Sequence, residues 1–141
     1  MNYQFTHRAR VYFDATDAGG VMYHAQYLNL IEHARMEYFS SLGYDTAEVH
    51  YQQNLNFVAV ECNMQWKRPA HLGEYLEITM SARDMERVSV WFDHEIYRVE
   101  PNGDRTLLNT AAIRMVCVDA AEMKARSIPQ EMKEKFIDGS S

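Results

Sequence analysis

The fold turns on HAQYLNLIEHARMEYFSSLG, residues 24–43. Its apolar residues Tyr27, Leu30, Ile31, Ala34, Tyr38 and Leu42 keep a helical spacing for about four turns. Gly43 follows where a helix-ending glycine belongs. A helix with one apolar stripe must bury it against another surface, and the flanking sequence supplies strands. Before the helix, Phe5 to Phe13 alternates, with Ala9, Val11 and Phe13 on one side and Arg8, Arg10 and Tyr12 on the other.

After the helix, Asp45-Thr46-Ala47-Glu48 has the pattern of a capping box opening a short second helix. Period two then dominates. Strands are expected over Phe57 to Trp66, after Gly73 (Leu76, Ile78, Met80 and Ala82 sharing a face), over Arg87 to Glu100, and over Leu107 to Val118. The apolar end of the last, Met115 to Val118, suggests a central position in the sheet. Pro101-Asn102-Gly103-Asp104 is a turn, and Pro129 suits position N1 of a closing helix with Glu131 in its first turn. Short connections make the sheet antiparallel. The expectation is an α+β fold, an antiparallel sheet wrapped on one long helix, as a single domain over residues 1–141 with a loose tail at 139–141.

Composition narrows the function classes. The 141 residues suit one domain, and 47% hydrophobic with 24% charged residues describes an ordinary globular chain. A formal charge of −6 argues against a nucleic-acid partner, and Lys67-Arg68 alone make no basic footprint. No apolar run approaches the ~20 residues of a membrane span. Residues Met1 to Asp14 lack the apolar region of a signal peptide. Cys62 and Cys117 lie far apart in apolar stretches and are expected reduced and buried, which fits a cytoplasmic setting.

The chemistry-bearing stretch is Asp14-Ala15-Thr16-Asp17-Ala18-Gly19-Gly20-Val21-Met22-Tyr23-His24, between the first strand and the long helix. Gly19 and Gly20 let backbone approach a ligand closely. The helix start offers unpaired N–H groups and the positive end of its dipole. A carboxylate beside such donors has two parts needed for acyl transfer: Asp17 as base or nucleophile, and a backbone N–H near Tyr23 or His24 as oxyanion donor. By residue type alone, an aspartate before Gly-Gly and a helix is more often a turn former or N-cap. Asp14 reads as a strand-end or loop hydrogen-bonding group. His24 and His33 lack partners at ligand spacing, so no metal site is expected. Gly-x-Ser-x-Gly, dinucleotide and Walker-type motifs are absent.

Val11 to His24, followed by Ala25-Gln26-Tyr27-Leu28 and Glu32-His33-Ala34-Arg35, resembles the signature of hotdog-fold 4-hydroxybenzoyl-CoA-like thioesterases, in the branch of the bacterial Tol–Pal-associated acyl-CoA thioesterases. Phe57-Val58-Ala59-Val60, Arg68-Pro69-Ala70, Leu72-Gly73, Met115 to Asp119 and Ile128-Pro129 extend the resemblance in order from Arg10 to about Phe136. It implies an acyl-CoA thioesterase with no cofactor beyond the CoA of its substrate, and with CoA or acyl carrier protein as the carrier. It implies a homodimer or homotetramer whose active sites lie at the interface, with Asp17 as catalytic carboxylate and His24 assisting. Val58, Ala59 and Val60 would line the acyl slot from the partner chain, and Arg87 and Ser89 would touch the nucleotide. Met22 and Gln26 depart from the residues common in relatives, at positions that shape the acyl pocket. An aryl-CoA thioesterase and a non-catalytic acyl-carrier-protein-binding protein are the alternatives; the Asp17 loop is the thioesterase pattern rather than that of a hotdog dehydratase.

Overall fold

The computed structural model describes the backbone of residues 5–140 and the side chains of residues 5–136. Helix α1 spans His24–Ser41 and buries Tyr27, Ile31, Ala34, Tyr38 and Phe39. The stripe is shifted by a few tens of degrees from the one expected, since Leu30 and Leu42 are only partly buried and Phe39 takes a core place. Gly43 ends the helix with φ +94°. There the Gly43 N–H donates to Ser40 O and the Tyr44 N–H to Phe39 O, the two bonds of a Schellman cap. Asp45 then opens α2 (Thr46–Gln52), its carboxylate accepting from the N–H groups of Ala47 and Glu48.

Strands β1 (Phe5–Arg10), β2 (Leu55–Trp66), β3 (Tyr75–Arg83), β4 (Ser89–Val99) and β5 (Arg105–Asp119) form one sheet in the order β1-β3-β4-β5-β2. Every pairing is antiparallel. Alternate residues of each strand face α1, so Leu76, Ile78, Met80, Phe92 and Ile113 are almost wholly buried beneath the helix stripe. Helix α3 (Gln130–Ser140) closes one end of the core. Its Phe136 stacks on Phe39 with ring centroids 5.5 Å apart and meets Phe92 edge-on at 5.7 Å.

Several expectations are corrected. β1 stops at Arg10 because the chain turns at Phe13–Ala15, where Thr16 Oγ1 donates to Phe13 O. Val11 is therefore buried but Phe13 is 80% exposed. β5 lies inside the sheet between β4 and β2, as its apolar end suggests. Cys117 is buried, its thiol pushed up to about 11 by desolvation, whereas Cys62 is exposed because β2 is an edge strand. Pro129 sits just before α3, its carbonyl accepting from the Lys133 N–H. Of residues 139–141, Gly139 and Ser140 are the last residues of helix α3, and Ser141 lies outside the described residues. Among the described residues, no helix is long and apolar enough to cross a membrane.

His94 on β4 is buried, with Nδ1 3.3 Å from Thr79 O. Burial pushes its pKa down to about 4, outweighing the hydrogen bond. The folded protein thus holds His94 neutral while the unfolded chain binds a proton below its ordinary value of 6.5. Stability from this group is complete above pH 6.5 and declines as pH falls toward 4. Melting curves across that window are expected to fall more steeply for wild type than for His94→Gln, whose side chain cannot take up a proton.

Candidate active site

The segment 14–24 is strapped down by backbone bonds. Asp17 N–H donates to Val21 O (2.9 Å) and Gly20 N–H to Asp17 O (3.0 Å), closing a tight turn that needs φ +79° at Gly20. Met22 N–H donates to Ala70 O and Leu72 N–H to Gly20 O, which fastens the turn to the segment following β2. The Gly19 N–H donates to Asp17 Oδ1 at 2.8 Å. That bond holds one carboxylate oxygen, and Asp17 itself is exposed. The turn-former reading of Asp17 is thus satisfied through one oxygen, with the second left for other work.

Helix α1 begins beside this carboxylate. Tyr23 occupies the N-cap in extended backbone and makes no side-chain capping bond, and no acidic residue lies in the first turn. Gln26 N–H is taken by Tyr23 O. The N–H groups of His24 and Ala25 therefore present an uncapped, positive helix end. The His24 ring meets Trp66 edge-on, centroids 5.1 Å apart. Asp17, Tyr23 and His24 share an open cleft of about 280 Å³ with Trp66, Lys67 and Arg68.

Below the cleft, the buried Tyr27 hydroxyl accepts from the Ala70 N–H at 3.0 Å. Ala70 is wholly buried, so Tyr27→Phe strands that donor and is expected to cost about 1–3 kcal/mol in urea denaturation. Because Ala70 O also holds Met22, the same change loosens the floor of the Asp17 turn.

The structure brings Asp17, Tyr23 and His24 into one cleft and adds Trp66, Lys67 and Arg68, while Gly19 and Gly20 form the turn that holds Asp17. The sequence reading placed Trp66 at a strand end, Lys67-Arg68 as too small a basic cluster for a nucleic-acid footprint, and Arg68 in the family resemblance, without assigning any of the three to the site. Their signal was the position of Arg68-Pro69 at the close of β2. Val58, Ala59 and Val60 lie elsewhere in the same chain. Trp66 pairs with Asn109 and Val58 with Val116, seven residues along β5, or about 24 Å. A bulge displaces Val60, which is 51% exposed.

Arg87 and Ser89 are also at that far end, since Ser89 pairs with Val116. Arg87 is exposed, donates to Ser127 Oγ at 2.8 Å, and borders a broad depression with Arg126 and Lys133. Ser89 is 2% exposed within the single chain, where β4 meets β5. Among the described residues, no cluster of three or more His, Cys, Asp or Glu is placed to hold a metal ion.

Residues 11–136 match the family model of the thioesterase-like superfamily. The chain is 35% identical over 127 residues to the acyl-CoA thioester hydrolase YbgC of Escherichia coli O6:H1, covering 90% of this chain and 91% of that one. It is 31% identical over 132 residues to the acyl-CoA thioesterase YbgC of Haemophilus influenzae, covering 94% and 93%. Among solved structures, the 1,4-dihydroxy-2-naphthoyl-CoA thioesterase from Synechocystis superposes with a TM-score of 0.86 at 25% identity, covering 96% of each chain.

Proposed function

This chain belongs to the thioesterase-like superfamily, and from that premise we propose that Asp17 and the start of α1 together cleave the thioester bond. The fold is a hotdog, and the protein is an acyl-CoA thioester hydrolase. The observation that carries the site assignment is the uncapped helix end sharing one cleft with a carboxylate that has an oxygen to spare.

The substrate carbonyl oxygen meets the N–H of His24, with the helix dipole behind it, and the negative charge that develops there is stabilised by both. Asp17 either attacks the carbonyl carbon or takes a proton from the water that does. In each route the C–S bond breaks, and water supplies the new oxygen and one proton of the acid product while its other proton goes to the departing CoA thiolate. Gly19 and Gly20 keep the turn free of side chains where the acyl group passes. The exposed Tyr23 forms one wall, and the His24 ring, braced by Trp66, orients water or Asp17. CoA enters as part of the substrate, and the site needs no other cofactor.

A homodimer completes this site. β2 is an open sheet edge, exposed from Ala59 to Asn63, and an unprotected edge invites a second strand. Antiparallel pairing of β2 with its copy carries the partner's Val58 end toward the Trp66 end of the first chain. Val58, Ala59 and Val60 then line the acyl slot across the interface, and Arg87, with Arg126 and Lys133 beside it, faces the nucleotide phosphates. Pairing of such dimers gives the tetramer, and acyl carrier protein is the second carrier the open cleft admits. A CoA-thioester substrate and two unpaired cysteines suit the cytoplasm.

A second reading of the acyl group, aryl rather than aliphatic, is favoured by the two exposed rings in the cleft, Tyr23 and Trp66. Thiol release from short aliphatic, long aliphatic and aryl acyl-CoAs decides between them. The account expects turnover of at least one class, with the preferred class naming the acyl pocket. Absence of turnover across the panel by folded protein overturns it.

A further inference from the structure

A second cavity, of about 110 Å³, lies between α1, α2, the start of β2 and α3, and shares no residue with the Asp17 cleft. Most of its wall is apolar: Phe39, Val49, Leu55, Phe57 and Met132. Four polar residues interrupt that wall, one of them Asn56, whose Oδ1 already accepts from the Phe57 N–H. Arg35 reaches it from α1 with only 18% of its side chain exposed. Its acidic neighbour Glu32 stands 3.8 Å away and is itself half exposed, so the pairing is loose. The other two, Tyr44 OH and Thr46 Oγ1, are buried, and neither has a hydrogen-bond partner among the described residues.

This combination is costly without a ligand. Each buried hydroxyl left unpaired forfeits the solvation it had in water. A guanidinium enclosed by apolar side chains loses more, and burial accordingly lowers the Arg35 pKa despite Glu32. An anion with two acceptor oxygens answers all three groups, since a carboxylate accepts from the guanidinium and from both hydroxyls. The apolar wall then calls for an alkyl tail. Volume limits that tail, because an engineered cavity of about 150 Å³ holds benzene, a group of about six heavy atoms.

We propose that this cavity binds a short-chain carboxylate anion, with the carboxylate against Arg35, Tyr44 and Thr46 and the alkyl chain against Phe39, Leu55 and Phe57. The site is separate from catalysis in this chain: Arg35 lies eleven residues beyond His24, about 16 Å along α1. Acids of this class are what hydrolysis of a short acyl thioester releases, but the binding itself rests on the cavity and not on the thioesterase reading.

Calorimetric titration of sodium propanoate into the full chain tests the proposal, with propan-1-ol as the uncharged comparison. Saturable propanoate binding is expected for wild type and equally for Asp17→Asn, with propan-1-ol at least about tenfold weaker. Arg35→Met is expected to weaken propanoate by about tenfold or more, and Tyr44→Phe and Thr46→Val each by several-fold. The last two variants guard against misfolding. Removing an unpaired hydroxyl should leave the ligand-free melting temperature unchanged or higher while binding falls, a combination that a purely structural role does not produce. No saturable binding to wild type, or binding that survives Arg35→Met and disappears in Asp17→Asn, overturns the proposal.

Discussion

Replacing Asp17 with asparagine is expected to lower kcat/KM for acyl-CoA hydrolysis by about 10²–10⁴-fold, the range for loss of a positioned acid–base group. The substitution is clean. An asparagine Oδ1 can still accept from the Gly19 N–H, so the turn keeps the bond it now has. Asp17 is exposed and belongs to no ion pair among the described residues, so the melting temperature should hardly move. What is lost is the charge and basicity of the second oxygen, which neither attacks a carbonyl nor accepts a proton from water once it is an amide nitrogen. Steady-state thiol release, with circular dichroism as the fold control, checks the result. Activity within a few-fold of wild type would move the reacting group elsewhere in the cleft.

Val60→Asp is expected to produce a folded monomer with little or no activity. Val60 is 51% exposed and occupies the extra position of a β-bulge on the edge strand β2, so a carboxylate there meets water in the single chain. Its effect on the chain's own stability should stay within about 0.5 kcal/mol. Two such carboxylates brought together across paired β2 edges repel each other and resist desolvation, the means by which natural edge strands avoid pairing. Sedimentation velocity reads the mass and thiol release the activity. A monomer that still turns over would show the site complete within one chain. A dimer unaffected by the charge would place the interface away from Val60.

The parts of the molecule readable from sequence are those set by local chemistry. α1 follows from the spacing of Tyr27, Ile31, Ala34 and Tyr38, and its end from Gly43, whose positive φ makes the Schellman bonds possible. Asp45 marks α2 because its carboxylate caps two N–H groups within three residues. The turn that carries Asp17 and the start of the helix is contiguous in sequence, so its members stay together in the fold.

What depended on strand order was not readable. Cys62 sits in an apolar stretch yet is exposed, because only the folded sheet reveals β2 as an edge. Phe13 continues the alternation of β1 on paper, but the turn at Phe13–Ala15 swings it into solvent. Trp66, Lys67 and Arg68 join Asp17 only because Gly20 and Met22 bond to the segment after β2. Arg35, with Tyr44 and Thr46, lines a cavity assembled from four elements, and no local pattern announces it.

The most direct measurement of the central claim is the stoichiometry of the reaction: acyl-CoA incubated with purified wild-type protein, thiol titrated and the acyl product identified by mass. The account predicts one equivalent of free carboxylic acid for each equivalent of CoA thiol, formed catalytically. Thiol release without free acid, or no thiol release from any acyl-CoA, would contradict it.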